Sequence, residues 1–148
     1  MNPLLNTGHE YLPIFSEIQP SLHIVPAITQ LSEELDVSFE FYEKSLEKML
    51  EKTLPKLTFE SVFDEMERIQ YPLSRAWGIV NHLDGVNNSE ELSNAKSQVQ
   101  SRVVEAFMKF GQSDIIYNAI QMLLSNPGLS NTEKRIITDS LRNMEHSG

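Results

Sequence analysis

The sequence offers one string that could begin a hydrolytic metal site. His9 and Glu10 form the His-Glu pair that opens the zinc motif of many metallopeptidases. That motif needs a second histidine four residues after the first, one helical turn away, so that both imidazoles reach one ion. Pro13 occupies that position, has no ligand atom and disfavours a helix. We therefore predict no zinc site here and interpret His9 as a surface residue.

The remaining polar residues give no stronger catalytic pattern. The other histidines, His23, His82 and His146, are far apart in sequence, and none has a carboxylate at the Glu-x-x-His spacing of helical metal sites. His82 is interpreted as a favourable charge near a helix C-terminus. No glycine-rich phosphate loop or nucleophile elbow occurs. The sequence predicts no catalytic, cofactor-binding or metal-binding residue, although folding could still bring two scattered carboxylates together as an acid and a base.

The composition of the chain limits the partners and the kinds of site that it can have. The chain has 148 residues, a net charge of −9 and no cysteine. The negative charge disfavours nucleic acid and anionic lipid as partners, and the missing thiols exclude disulfides and cysteine nucleophiles. No apolar run approaches the length of a membrane span, and the first residues do not follow a signal-peptide pattern. A cytoplasmic protein without a membrane segment is the simplest prediction.

Residues 1–20 are predicted to form an extended N-terminal arm. They contain Pro3, Pro13 and Pro20 and show no helical spacing of apolar residues. Their apolar side chains indicate that the arm packs on a surface. That surface is either its own domain, which we favour, or a partner.

Residues 21–148 are predicted to form one all-α domain of about five antiparallel helices in a bundle-like arrangement. Apolar residues recur every three or four positions in each segment. The first helix extends from Pro26 to about Lys52, and Thr58 caps a second that Pro72 should kink near Arg68–Tyr71. The second ends in a turn at residues 84–88. Ser89 caps a third, which Gly111 ends as the left-handed glycine that follows a helix. A fourth covers about 113–125, and Ser130 with Glu133 forms a capping box for the fifth. The aromatic residues expected in the core are Phe59, Phe63, Trp77, Phe107 and Phe110.

The order of several short segments resembles a known family nearly from end to end. The matching segments are Asn2-Pro3-Leu4-Leu5, Leu12-Pro13-Ile14-Phe15, Ile18-Gln19-Pro20, His23 to Ile28, Thr58 to Ser61, Pro72-Leu73-Ser74, Trp77 to Val86, Asn88 to Leu92 and Leu141 to Gly148. In this order they are similar to the N-terminal domain of the oligopeptidase A and thimet oligopeptidase family of zinc metallopeptidases. The chain differs from the usual pattern by a longer loop at Asn6–Glu10.

The resemblance implies a role without catalysis in this chain. In that family the N-terminal domain forms one wall of a deep channel and restricts access to short peptides, while the zinc ligands and the general-base glutamate lie in the C-terminal half. No position here matches that metal motif, so the resemblance transfers no catalytic, cofactor or metal residue. The implied partners are a catalytic half or a full-length relative, with short peptides bound only by the complete enzyme. The alternative is a stand-alone helical module that binds another protein through its apolar faces.

Overall fold

The computed structural model describes residues 19–52, 57–86 and 88–147, and all regular elements in these ranges are helical. A π-helical turn, Pro20–Ile24, continues into α1 (Val25–Lys52). A second π-helical turn, Glu60–Asp64, continues into α2 (Glu65–Val86), followed by α3 (Glu90–Gly111), α4 (Asp114–Leu123) and α5 (Asn131–Ser147). The predicted all-α class is confirmed. The predicted arm lies almost wholly outside the described residues, and the antiparallel arrangement stays a prediction.

The described residues divide into two compact units, one of residues 19–36, 70–86 and 88–106 and the other of residues 37–52, 57–69 and 107–147. The described core of the first unit consists of aliphatic side chains from the π-helical turn Pro20–Ile24 and from α1, α2 and α3. Its fully buried members include Ile24, Ile28, Leu73, Val80 and Val103. At its surface, Lys96 Nζ lies 3.2 Å from Asp84 Oδ2, and Arg102 Nη2 lies 2.5 Å from Asp36 Oδ2. Half-buried pairs of this kind tie α3 to its neighbouring helices.

The second unit has a mixed aromatic and aliphatic core. The rings of Phe39 and Phe110 meet edge to face with centroids 4.8 Å apart, and Tyr42 lies 6.3 Å from Phe110. The short helix α4 packs against α5 and the π-helical turn Glu60–Asp64. Apolar residues of α4 at helical spacing, among them Ile116 and Ile120, are buried. A helix of ten residues is marginal alone, so this packing stabilises α4.

Side-chain caps begin the helices where the sequence places them. Leu92 N donates to Ser89 Oγ at 3.1 Å, and Ser61 N donates to Thr58 Oγ1 at 3.0 Å. Ser130 N donates to Glu133 Oε1 at 2.9 Å while Glu133 N donates to Ser130 Oγ at 3.1 Å. The predicted capping box is therefore confirmed.

Three local predictions differ from the structure. Asp84 and Gly85 do not form a turn, because α2 continues through Val86, and Asn87 lies outside the described residues. Gly111 is the last residue of α3 rather than a left-handed residue beyond it. Of the five aromatic residues expected in the core, only Phe110 is buried; the other four, Phe59, Phe63, Trp77 and Phe107, are half-buried. Large rings at the edge of a helical stripe keep one side in solvent. Helix α2 continues through Pro72, and the kink there stays a prediction.

Candidate binding groove

A groove in the second unit lies between the C-terminal half of α1 and the residues from Glu60 into the beginning of α2. It encloses about 670 Å³. Its lining residues are Ser38, Phe41, Tyr42, Ser45, Met49, Glu60, Ser61, Glu65, Arg68 and Ile69. The α1 members recur at helical spacing, so they lie on one face of that helix. The groove is therefore a feature of two neighbouring helices and not of a loop.

Tyr42 forms the base of the groove and is fixed there. Its side chain is buried, and its hydroxyl donates a hydrogen bond to the carbonyl oxygen of Val62 at 2.6 Å. Burial raises the pKa of the Tyr42 phenol well above its ordinary value, and the negative charge of Glu65 raises it further. Tyr42 is therefore neutral at physiological pH and joins α1 to the π-helical turn before α2. It does not act as a base.

The charged rim of the groove is an ion pair. Arg68 Nε donates to Glu65 Oε2 at 2.9 Å, and the second guanidinium nitrogen Nη2 contacts Glu65 Oε1. The hydrogen bond from Arg68 lowers the pKa of Glu65, so this carboxyl is a weaker proton acceptor than an ordinary glutamate. The pair lies in solvent and contributes little to stability. The pair cancels its own charge, and Glu60, which also lines the groove, gives this side a formal net negative charge.

The groove is suited to binding rather than to acid–base chemistry. The hydroxyl of Ser61 already accepts from Thr58 N and donates to Thr58 O, both at 2.9 Å. The groove lining contains no histidine that could activate it. Apolar surface from Phe41, Met49 and Ile69 lies beside these fixed polar groups, the composition of a site that holds a ligand by burial.

A second, smaller pocket of about 310 Å³ lies in the same unit. Its lining residues are Met49, Leu57, Met122, Leu123, Ser125, Asn126 and Pro127. The lining has no charged side chain and includes two methionines, whose flexible side chains adapt to differently shaped apolar groups. Met49 lines both this pocket and the groove.

The structure separates the residues that could have formed a metal site. Over residues 19–52, 57–86 and 88–147, no three or more histidine, aspartate or glutamate side chains lie close enough to hold an ion. His23 Nδ1 accepts a hydrogen bond from Gln19 N at 2.7 Å, a local role at the start of the helical region. His82 and His146 are exposed, and His9 with Glu10 lies outside the described residues. The described residues therefore do not fit a zinc ion. The absence of site residues from the whole chain stays a prediction.

Sequence reasoning did not find the groove itself. Phe41 precedes the buried Tyr42 and is 71% exposed, and nothing in the helical pattern marks it as part of a concave surface. Glu65 and Arg68 lie in a charged stretch of α2, with side chains 40% and 69% exposed. Only the neighbouring helix makes them the rim of a groove.

Comparison with known proteins decides the family. Residues 28–148 match the model of the family described as Neurolysin/Thimet oligopeptidase, N-terminal domain. The chain belongs to this family. The resemblance inferred from the order of sequence segments is confirmed.

Curated relatives of this oligopeptidase N-terminal domain agree with the assignment. The chain is 33% identical to oligopeptidase A of Haemophilus influenzae over 99% of its length and 32% identical to the probable cytosolic oligopeptidase A of Arabidopsis thaliana over 99%. It is 33% identical over 95% of its length to the organellar oligopeptidase A, chloroplastic/mitochondrial, of the same plant. The match covers only 20%, 20% and 17% of these relatives, respectively. The chain thus spans about a fifth of their length. No solved structure matches it significantly.

The hydrogen bond at the base of the groove predicts a measurable effect. In Tyr42→Phe the carbonyl of Val62 loses the phenol donor and keeps the backbone N–H of Glu65, so the free energy of unfolding at neutral pH should fall by about 0.5–1.5 kcal/mol. Because the folded-state pKa of Tyr42 is raised, its contribution is complete below the unfolded pKa of about 10 and is lost as the pH rises above it. Urea unfolding measures the free energy of unfolding at neutral pH and near pH 10.5. Between these two pH values, the variant should lose less stability than the unsubstituted chain.

Tyr117→Phe is the control for removing a phenol. Tyr117 donates to Glu145 Oε2 at 2.7 Å on the surface of the same unit, and this bond raises the pKa of Tyr117. Its loss should therefore change stability less than the loss of the buried bond at neutral pH. Equal stability of Tyr42→Phe and the unsubstituted chain at both pH values would refute the role given to the buried hydroxyl.

Proposed function

We propose that this chain is the non-catalytic N-terminal helical domain of an oligopeptidase A-like zinc metallopeptidase, where it walls the peptide channel and restricts access to short peptides. The observation that carries the proposal is the family match over residues 28–148, together with relatives about five times longer than the region they share with this chain. In a protein of that length, one domain can hold the catalytic residues while another restricts which peptides reach them.

The groove supports a role in holding or guiding a peptide substrate rather than in cleaving it. It presents exposed apolar surface from Phe41, the hydroxyls of Tyr42 and Ser61 are already hydrogen-bonded, and the ion pair keeps Glu65 charged and Arg68 occupied. A wall of this kind contacts a passing peptide without reacting with it. Zinc and the general base are then supplied by the remaining part of the protein, and this chain alone is not a peptidase.

The proposed partner is therefore the catalytic portion of such an enzyme, either continuous with this chain or supplied by a full-length relative. Neither nucleic acid nor a membrane is a proposed partner. No helix in the described ranges combines the length and the apolar character that crossing a membrane requires. We propose a cytoplasmic location, in line with the relative named as a probable cytosolic oligopeptidase A.

A hybrid enzyme tests the proposal. The corresponding segment of Escherichia coli oligopeptidase A, which is 31% identical to this chain, is replaced by residues 1–148. We expect the hybrid to cleave a short fluorogenic peptide with kcat/KM within about tenfold of the parent, because a wall can be exchanged without touching the reacting atoms. It should also retain the parent's preference for that peptide over a long unfolded protein.

Two further preparations complete the experiment. The parent lacking the segment should lose activity or its size preference, and the isolated chain with added zinc should not hydrolyse the peptide. A hybrid that is folded and active but cleaves the long substrate as readily as the short one would rule out the access role. Chelator-sensitive hydrolysis by the isolated chain would overturn its non-catalytic assignment.

The alternative function is a stand-alone helical module that binds another protein. Several large apolar side chains are well exposed, including Leu22, Phe41 and Val86 at 62%, 71% and 68%. Surface of this kind favours association. A folded but inactive hybrid, combined with reversible association by the isolated chain, would favour this function over the first.

A further inference from the structure

One carboxylate in the lining of the groove has no partner of its own. Glu60 is exposed, and over the described ranges its side chain takes part in no hydrogen bond or ion pair. The other charged residues of the lining, Glu65 and Arg68, are paired with each other. Residues 57–69 contain four carboxylates and one basic side chain. A ligand in the groove therefore meets an uncompensated negative charge, which favours a basic group over an acidic one.

Two serine hydroxyls on α1 can bind the backbone of a peptide. Ser38 and Ser45 line the groove, and seven residues separate them, so they lie on one face of the helix. Within the part of the chain that the structure describes, neither hydroxyl is hydrogen-bonded, whereas those of Tyr42 and Ser61 are. Seven residues of helix cover about 10.5 Å, roughly the length of three residues of extended chain. Each free hydroxyl can donate to a peptide carbonyl or accept from a peptide N–H.

The smaller, uncharged pocket adjoins the groove. Met49 lines both concavities, so a ligand in the groove can extend into the pocket at this residue. The pocket encloses about 310 Å³, and its lining contains Met49 and Met122. Because methionine side chains are flexible, such a pocket accepts several long apolar side chains of different shape.

We propose that the groove and the adjoining pocket select peptides in which a basic side chain lies a few residues from a long apolar one. This inference rests on the proposed function, which makes a short peptide the occupant. Glu60 binds the basic group, the hydroxyls of Ser38 and Ser45 bind the peptide backbone, and the pocket receives the apolar side chain. The charge contact lies in solvent, so the dissociation constant is expected at about 0.1–1 mM.

Fluorescence anisotropy with the 148-residue chain and three labelled peptides measures the preference. All three are short capped peptides of glycine, alanine and serine. The first carries an arginine and a leucine separated by two residues, the second has glutamate in place of the arginine, and the third has serine in place of the leucine. The first should bind about tenfold more tightly than the second at low salt, and less so as ionic strength rises. It should bind about fivefold more tightly than the third.

Substitutions in each part of the site have matched controls. Glu60→Lys should reverse the preference between the first two peptides, because the uncompensated charge then changes sign. Glu67→Lys changes the net charge equally, but Glu67 is exposed on α2 outside the groove lining, so the order of the two affinities should remain. Met122→Ala should remove most of the advantage of leucine over serine. Met108 is 49% exposed and lines neither concavity, so Met108→Ala should leave that advantage unchanged.

Several results would overturn the proposal, provided that circular dichroism shows the same helix content in all variants. They are equal affinity for the arginine and glutamate peptides, no binding up to about 1 mM chain, and the same effect of Glu60→Lys and Glu67→Lys. Equal effects of Met122→Ala and Met108→Ala would refute the role of the pocket.

The hybrid enzyme separates this inference from the proposed function. In a hybrid that is active and size-selective, Glu60→Lys should change the ratio of KM values for the first two peptides, supplied as quenched substrates. An unchanged ratio would refute the peptide preference alone. An inactive hybrid would count against the proposed function alone, because anisotropy measures the groove without catalysis.

Discussion

Replacing Ile120 with alanine is expected to lower the free energy of unfolding by about 2–5 kcal/mol, the usual cost of leaving a cavity at a fully buried aliphatic residue. Ile120 is 1% exposed and lies on the buried face of α4 with Ile116, Ala119 and Leu123. Because α4 has only ten residues, its helical state depends on this face. Urea unfolding followed by circular dichroism measures the loss.

Met122→Ala on the same helix is the matched control. Met122 is 51% exposed, so its truncation removes little buried surface and should change stability by less than about 0.5 kcal/mol. A similar loss for the two variants would show that helix propensity, and not packing of the buried face, determines the stability of α4.

Ser113→Ala is expected to cost about 1–3 kcal/mol, more than a helix cap usually contributes. Ser113 is buried, and its hydroxyl oxygen accepts a hydrogen bond from Ile116 N at 3.1 Å while its proton is donated to Glu43 Oε2 at 2.6 Å. The substitution leaves the first turn of α4 without its cap and takes a strong donor from a carboxylate on α1. Thermal and urea unfolding should both detect the loss.

Ser130→Ala provides the comparison for this cap. Ser130 is exposed and caps α5 with Glu133, without any bond to another helix. Its replacement should cost about 0.5–1 kcal/mol, the effect of capping alone. Ser113→Thr keeps the hydroxyl and should recover part of the loss. If Ser113→Ala were no more destabilising than Ser130→Ala, the bond to Glu43 would make no net contribution.

Local rules were sufficient for the positions of most helices. Of the apolar stripe predicted on the first helix, the residues from Ile28 to Leu46 are buried and the last, Met49, is half-buried; the caps at Ser89 and Ser130 begin helices where expected. These features depend on residues within a few positions of one another, which is why sequence can specify them. The predicted turn at Asp84 and Gly85, which also depended on a local rule, was wrong. Turn-forming residues are only weakly unfavourable in a helix, and α2 extends through both of them.

The prediction that His9 and Glu10 do not begin a zinc motif also depended on neighbouring residues. A zinc motif on one helical turn can be rejected from Pro13 alone, whatever the fold. A site assembled from distant residues cannot be rejected in this way. For the described residues it took the positions of His23, His82 and His146 to show that no such cluster forms there.

By itself, the sequence determined that this protein is helical, where most of its helices begin, and to which family it belongs, because periodicity, caps and segment order are properties of neighbouring residues. Only the tertiary structure decided which polar groups meet. Tyr42 reaches the carbonyl of Val62, and Glu43 reaches Ser113, across separations of 20 and 70 residues. It also turned Phe41, Glu65 and Arg68 from a solvated surface into the sides of one groove. The physical reason is that pairing and concavity depend on which helix faces are adjacent, and no local pattern along the chain encodes that.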